Sequence, residues 1–149
     1  YRSHLPPELA WTRLCGLGMN VEELRANDQL TEYLVHNINA KPAMPFRDDE
    51  FDGAVVTVSV QYMTKPLETF REVRRVLKPD APFILSYSNR MFPTKAVRIW
   101  RALDDRERAG LIAAYFKHAG GFGEVSMEDR SIEGSTVGDP LFAVWARKE

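Results

Sequence analysis

Cysteine is nearly absent from this chain: Cys15 is the only one. A lone thiol excludes an internal disulfide and any zinc site built from several cysteines. It suits a reducing compartment, so a cytoplasmic location is expected. Histidine is scarce as well. His4, His36 and His118 are the only three, and none stands at metal-ligand spacing from other His, Asp or Glu residues, so no metal is expected. No apolar run approaches the ~20 residues that a membrane-spanning helix needs. The opening YRSHLPPE does not read as a signal peptide. Basic excess is missing too. Lys and Arg number 20 against 21 Asp and Glu, a formal net charge of -1, which lacks the electrostatic footprint of a nucleic-acid binder. Neither nucleic acid nor membrane is therefore expected as a partner. No G-x-G-x-x-G follows a strand-like run, which argues against a nicotinamide-dependent dehydrogenase.

What is present is ample apolar material, 44% of a 149-residue chain, enough for the core of one domain. The densest pattern lies in residues 44–89. A loop with an apolar tip (Met44, Pro45, Phe46) enters an acidic turn at residues 48–50. A buried-strand run follows over residues 51–60. Next comes an amphipathic helix over residues 66–77, with Leu67, Phe70, Val73, Val76 and Leu77 on one face and Thr64 as a candidate cap. Lys78-Pro79 breaks it, and a second apolar strand covers residues 83–87. Strand, helix, strand at this spacing is a βαβ crossover, hence a parallel pair covered by a helix. Ligands in such sheets bind at the carboxyl ends of the strands.

The flanks follow the same grammar. Residues 11–15 read as a short strand ending in Gly16-Leu17-Gly18, and Asn20 caps a helix reaching Ala26, with Glu22 and Glu23 in its first turn. Residues 32–36 form another short strand before an Asn-rich loop. Beyond Asn89, Pro93 suits the first turn of a helix carrying Val97, Trp100 and Leu103. Asp104 caps a further helix with Leu111, Ile112, Tyr115 and Phe116 inward, stopped by Gly120-Gly121. Residues 124–128 and 141–146 are the last strands, joined by a Gly/Ser loop over 130–139.

Residues 44–89 resemble the class I S-adenosylmethionine-dependent methyltransferases, and within them the type 11 branch. Carrying the resemblance are Met44-Pro45-Phe46, Phe51-Asp52, the run from Arg71 through Glu72, Val73, Arg74, Arg75, Val76 and Leu77 to Lys78-Pro79, and Phe83-Ile84-Leu85. Asp80-Ala81 stand where the family usually has a glycine pair. The resemblance implies an α/β fold: a Rossmann-like sandwich with a mainly parallel sheet of order 3-2-(1)-4-5-7-6 and an antiparallel C-terminal hairpin. The first strand is expected to be missing or degenerate, since only ten glycine-free residues precede residue 11. Ser3-His4-Leu5-Pro6 resembles the tail of a degenerate first loop. The expectation is thus one methyltransferase-like domain over residues 1–149, truncated at its N-terminus. The vacant central position would be filled by a homodimer partner, by residues 1–5, or by direct pairing of its neighbours.

The family's site residues carry over unevenly. The resemblance implies cofactor contacts at Gly16, Gly18 and Asn20, at Asn37, and at Ser59 and Val60, with S-adenosylmethionine as the cofactor. Gly18 stands where relatives have the acidic residue that binds the ribose hydroxyls, and Asn20 is the substitute. Gly16-Leu17-Gly18 equally reads as a tight turn, and Asn37 and Asn39 as an Asn-rich turn. Gln61, Tyr62 and His4 are weak catalytic candidates; Gln61 cannot accept a proton, and Tyr62 would need a depressed pKa to do so. Tyr62, Ser88, Asn89 and Arg90 are candidates for a small-molecule substrate, with Arg90 suited to a carboxylate or phosphate. Methyl transfer to a small molecule leads. A Rossmann-like scaffold that has lost its cofactor and works by association is the alternative.

Overall fold

The computed structural model describes residues 5–131 and 139–149, so His4 and most of the 130–139 loop lie outside the described residues. The chain forms two compact units, Tyr1–Met44 and Pro45–Glu149.

The first unit is a minimal βαβ. Strand β1 (Cys15–Gly18) pairs in parallel with β2 (Glu32–Val35), from Cys15 against Glu32 to Gly18 against Val35, with helix α1 (Val21–Ala26) between them. Asn20 caps α1 as expected, its Oδ1 accepting from the amides of Glu22 and Glu23 at 3.0 and 3.4 Å. The first strand itself is displaced from its expected place at residues 11–15. The Gly-Leu-Gly run, whose composition suggests a turn, is the strand. A Cβ on Gly16 would lie 2.5 Å from Leu30 Cδ1 and 3.2 Å from Leu24 Cδ2. Glycine therefore lets leucines seat directly on the strand backbone, and this contact with the ladder to β2 overrides local turn preference. Trp11, expected to open the strand, is 40% exposed.

The second unit holds the core. Strand β3 (Ala54–Thr57) pairs in parallel with β4 (Pro82–Tyr87), joined by helix α2 (Pro66–Val76). Helix α3 (Arg98–Ala102) and helix α4 (Asp105–Ala119) follow, then β5 (Ser126–Asp129) and β6 (Phe142–Arg147). The sheet order is β3-β4-β6-β5, with β6 antiparallel to both neighbours. This is the Rossmann-like α/β architecture with its closing antiparallel hairpin. Strand β4 turns Phe83, Leu85 and Tyr87 inward, and α2 buries Thr69, Phe70, Val73 and Val76, with Phe70 against Phe83. Phe70, Phe83 and Phe116 meet edge to face at 4.9 to 5.5 Å between centroids, the favoured arrangement for aromatic quadrupoles.

Several boundaries differ from expectation, each for a local reason. The strand expected over residues 51–60 is only Ala54–Thr57, because Val58 turns to φ 47° and the chain enters a 3-10 turn at Val60–Tyr62. Thr64 does not cap α2; Lys65 holds that position without a side-chain bond, and Pro66 starts the first turn. Pro93 sits in a turn, with α3 beginning only at Arg98. Asp104 does cap α4, through a reciprocal box with Glu107. Gly120 and Gly121 end α4 at φ 78° and 72°, where Arg74 reaches the Gly120 carbonyl at 2.8 Å. Among the described residues each unit has its own sheet, β1-β2 in the first and β3-β4-β6-β5 in the second.

Candidate functional site

Two groups of sequence-named residues are positioned by the two units, each at the carboxyl ends of a parallel strand pair. In the first unit Gly18 ends β1, and its carbonyl accepts from the His36 amide at 2.8 Å. The Oδ1 of Asn20 accepts from the first turn of α1. Asn37 is occupied likewise: its Oδ1 accepts from the amides of Asn39 at 3.0 Å and Ala40 at 3.3 Å. His36 donates from Nε2 to the Lys41 carbonyl at 2.8 Å, which closes the same loop. These asparagines thus shape the backbone at the strand ends. Gly16 serves packing, beneath Leu30. Gly18 differs: its backbone is not in the left-handed region, and an added Cβ would meet only Leu24, at 3.6 Å or more.

In the second unit, Ser59, Val60, Gln61 and Tyr62 are brought together with the segment after β4. Val58 donates to the Ser86 carbonyl at 2.9 Å, which ties the two strand ends. The Tyr62 hydroxyl accepts from the Phe92 amide at 3.0 Å, and the Gln61 carbonyl accepts from the Val97 amide at 2.9 Å. Tyr62 is therefore a tie between the two loops. Ser88 is nearly buried and its Oγ accepts from the Arg90 amide at 3.1 Å. Asn89 is exposed. The Arg90 guanidinium is exposed and pairs with Asp139 at 2.5 Å. Ser59 is exposed and Val60 buried, so the first can meet a ligand with its side chain and the second only through backbone.

Two features here have no signal in the sequence. Val58 is a β-branched residue in the left-handed region, a conformation that costs of order 1–3 kcal/mol and clusters at functional sites. Gln61 holds it: Nε2 donates to the Val58 carbonyl at 3.1 Å. That bond fixes the orientation of the amide, and Gln61 Oε1 is left buried with no hydrogen-bond partner among the described residues. A buried acceptor without a donor is costly, so it marks a place where a donor is missing.

Tyr87, at the end of β4, donates to the Asp105 carbonyl at 2.6 Å. Burial pushes its phenol up to about 12, with the nearby Asp105 carboxylate adding to the rise. A cavity of about 340 Å³ beside it is walled by apolar side chains including Met127 and Phe142, with Asp105, Glu128 and Asp129 also lining it; none of the sequence-named residues lines it. Among the described residues no cluster of His, Cys, Asp and Glu is placed to hold a metal. No described helix is long and apolar enough to cross a membrane.

Comparison with known proteins points in one direction. Residues 10–85, half of the chain, match the family described as "Methyltransferase domain". The biotin biosynthesis bifunctional protein BioHC of Teredinibacter turnerae is 30% identical over 76 residues, 51% of this chain and 13% of that protein. The methyltransferase phqN of Penicillium fellutanum is 37% identical over 76 residues, 47% of this chain and 23% of that protein. The chain thus spans less than a quarter of the length of either curated relative. Among solved structures, an S-adenosylmethionine-dependent methyltransferase from Aquifex aeolicus superposes with a TM-score of 0.62 at 15% identity, covering 92% of this chain and 69% of that one. That likeness carries the fold.

The family match and the neighbours point to S-adenosylmethionine as the cofactor. The residues present fit it in part. The orphaned Gln61 Oε1, in the second unit, suits a donor group of a ligand at the end of β3. At Gly18, however, there is no carboxylate for the ribose diol, and the neighbouring amide oxygen of Asn20 is committed to α1.

Proposed function

The chain belongs to the methyltransferase-domain family, and from that premise we propose that it carries out S-adenosylmethionine-dependent methylation of a small molecule. The observation that supports this most is the tied, polar pair of strand ends in the second unit, with Gln61 Oε1 buried and unmet between them. When bound, the cofactor supplies an already electrophilic methyl group. What remains for the protein is alignment and exclusion of water, and that needs no catalytic dyad. Gln61, clamped to Val58, offers a fixed acceptor for a donor group of a ligand. Tyr62, through the Phe92 amide, holds the loop after β4 against the end of β3. Ser88, Asn89 and Arg90 face the substrate side in this reading. In the first unit Gly16 and Gly18 are the candidate cofactor contacts, and in the second the backbone of Ser59 and Val60.

The occupied asparagines and the missing carboxylate at Gly18 favour a second reading. In it the chain is a Rossmann-like scaffold that acts by association, with a second copy as one candidate partner. One substitution separates the two readings. Gly18→Asp restores the charged acceptor; Gly18 lies outside the left-handed region, and an added Cβ would make ordinary contact with Leu24. Calorimetry with S-adenosylhomocysteine should show weak binding to the natural chain and binding about tenfold to a hundredfold tighter to the variant. That range corresponds to one charge-assisted hydrogen bond of roughly 1.5–3 kcal/mol. Absence of binding by either form, in a chain that includes whatever is encoded ahead of Tyr1, would sink the enzyme reading and leave the scaffold.

A further inference from the structure

The whole-chain charge balance conceals a segment of one sign. Between Ala81 and Leu103 there is no Asp or Glu, while Arg90, Lys95, Arg98 and Arg101 all fall there. Arg90 is paired with Asp139. Lys95, Arg98 and Arg101 are exposed and make no ion pair among the described residues. The same segment exposes Phe92 to 66% and Ile99 to 50%. The Lys95 ammonium stands 5.4 Å from the Phe92 ring centroid, which keeps a cation beside the exposed ring. Helix α3 is pinned by Trp100, which is 1% exposed and has the Arg108 guanidinium over its ring at 5.4 Å. With Trp100 inward, Arg98, Ile99, Arg101 and Ala102 are all turned to solvent.

We propose that residues 92–101 dock the chain onto an anionic lipid bilayer surface. Exposed apolar side chains set among unpaired Lys and Arg are the arrangement that enters the headgroup boundary while its cations meet lipid phosphates. This docking is independent of whether the chain binds a methyl donor. It needs no membrane-spanning helix, and none is present among the described residues, because the segment lies on the surface rather than across it.

The test is cosedimentation of the full chain with phosphatidylglycerol–phosphatidylcholine vesicles and with pure phosphatidylcholine vesicles, at low and high salt. Binding is expected to the anionic vesicles only and to weaken with salt. Each cation near such a surface contributes roughly fivefold in affinity. The triple variant Lys95→Gln, Arg98→Gln, Arg101→Gln should therefore bind roughly a hundredfold more weakly, with its melting temperature unchanged. Phe92→Ser should weaken binding without altering the salt dependence. Failure to sediment with anionic vesicles, or equal sedimentation of the triple variant, would overturn the proposal. So would full competition by free glycerol phosphate, which would indicate a simple phosphate site. Equal or tighter binding of a single-stranded RNA, lost in the same triple variant, would overturn it in favour of nucleic acid.

Discussion

Tyr87 shows how a single residue couples burial to pH. Its ring is fully buried between Trp100, at 5.2 Å, and Phe142, at 5.3 Å. Its pKa is pushed up to about 12 by that burial. The neutral phenol is thus favoured by folding: the contribution is complete below the ordinary tyrosine value and is lost as pH rises through the folded one. Between about pH 10 and 12, stability should fall by an amount on the order of 2 kcal/mol through this group alone. Tyr87→Phe should remove that portion of the alkaline loss. Below pH 9 it should cost about 1 kcal/mol for the bond to Asp105. Urea melts of both forms across the range check this, and parallel alkaline curves would refute it. Asp80 makes a second case. It sits at φ 66°, in the left-handed region that favours glycine. Asp80→Gly should therefore stabilise by about 1 kcal/mol, read from the shift in urea midpoint. That position was legible in the sequence because a pattern surrounds it. Val58 was not, since nothing in a Val-Thr-Val-Ser run announces a left-handed residue; only the tie to Ser86 and the grip of Gln61 impose it.

At the scale of elements, the sequence announced the ends of α1 and α4 but not the starts of α2 and α3, where Thr64 and Pro93 do not act as expected. Asp104 and Glu107 form the reciprocal box their spacing implies, with both bonds at 2.8 Å. Gly120-Gly121 stop the same helix at positive φ. These signals are local, so they survive whatever the rest of the chain does. Asp104→Ala should cost α4 about 1 kcal/mol, visible as a lower melting temperature, whereas Asp104→Ser should recover most of it. Strand β1 was misplaced for the opposite reason. Its identity is set by a neighbour: Gly16 and Gly18 are strand residues only because β2 pairs with them and Leu30 and Leu24 cover them. A glycine pair carries no such instruction by itself. The candidate site was legible at the same uneven depth. The carboxyl ends of β3 and β4 followed from the βαβ spacing, but the engagement of Asn20 and Asn37 by local amides appears only with coordinates.

On the scale of the whole molecule, apolar burial is distributed very unequally. Every residue of the buried core belongs to the second unit, from Val60 to Ala146. The first unit has no buried residue among those described, and it exposes Met19 to 66% and Val35 to 59%. Its cohesion rests on one four-residue parallel ladder, a capped six-residue helix and the leucines over Gly16. Parallel ladders are weaker per residue than antiparallel ones and are rarely left uncovered. The second unit, by contrast, has the six-residue antiparallel β4–β6 ladder running through an aromatic core. Local opening free energy follows such differences in burial. Amides of β1 and β2 should therefore exchange through openings on the order of 2 kcal/mol smaller than those of β4 and β6, roughly thirtyfold faster. Their rates should also depend little on added urea, the mark of a small opening that exposes little surface. Native-state hydrogen exchange measures both quantities. Equal protection in β1 and β4 would mean that something beyond the described contacts stabilises the first unit. A bound ligand at the carboxyl end of β1 would do the same, so repeating the exchange with S-adenosylhomocysteine and watching Gly18 and His36 for slowed amides links this prediction to the proposed site.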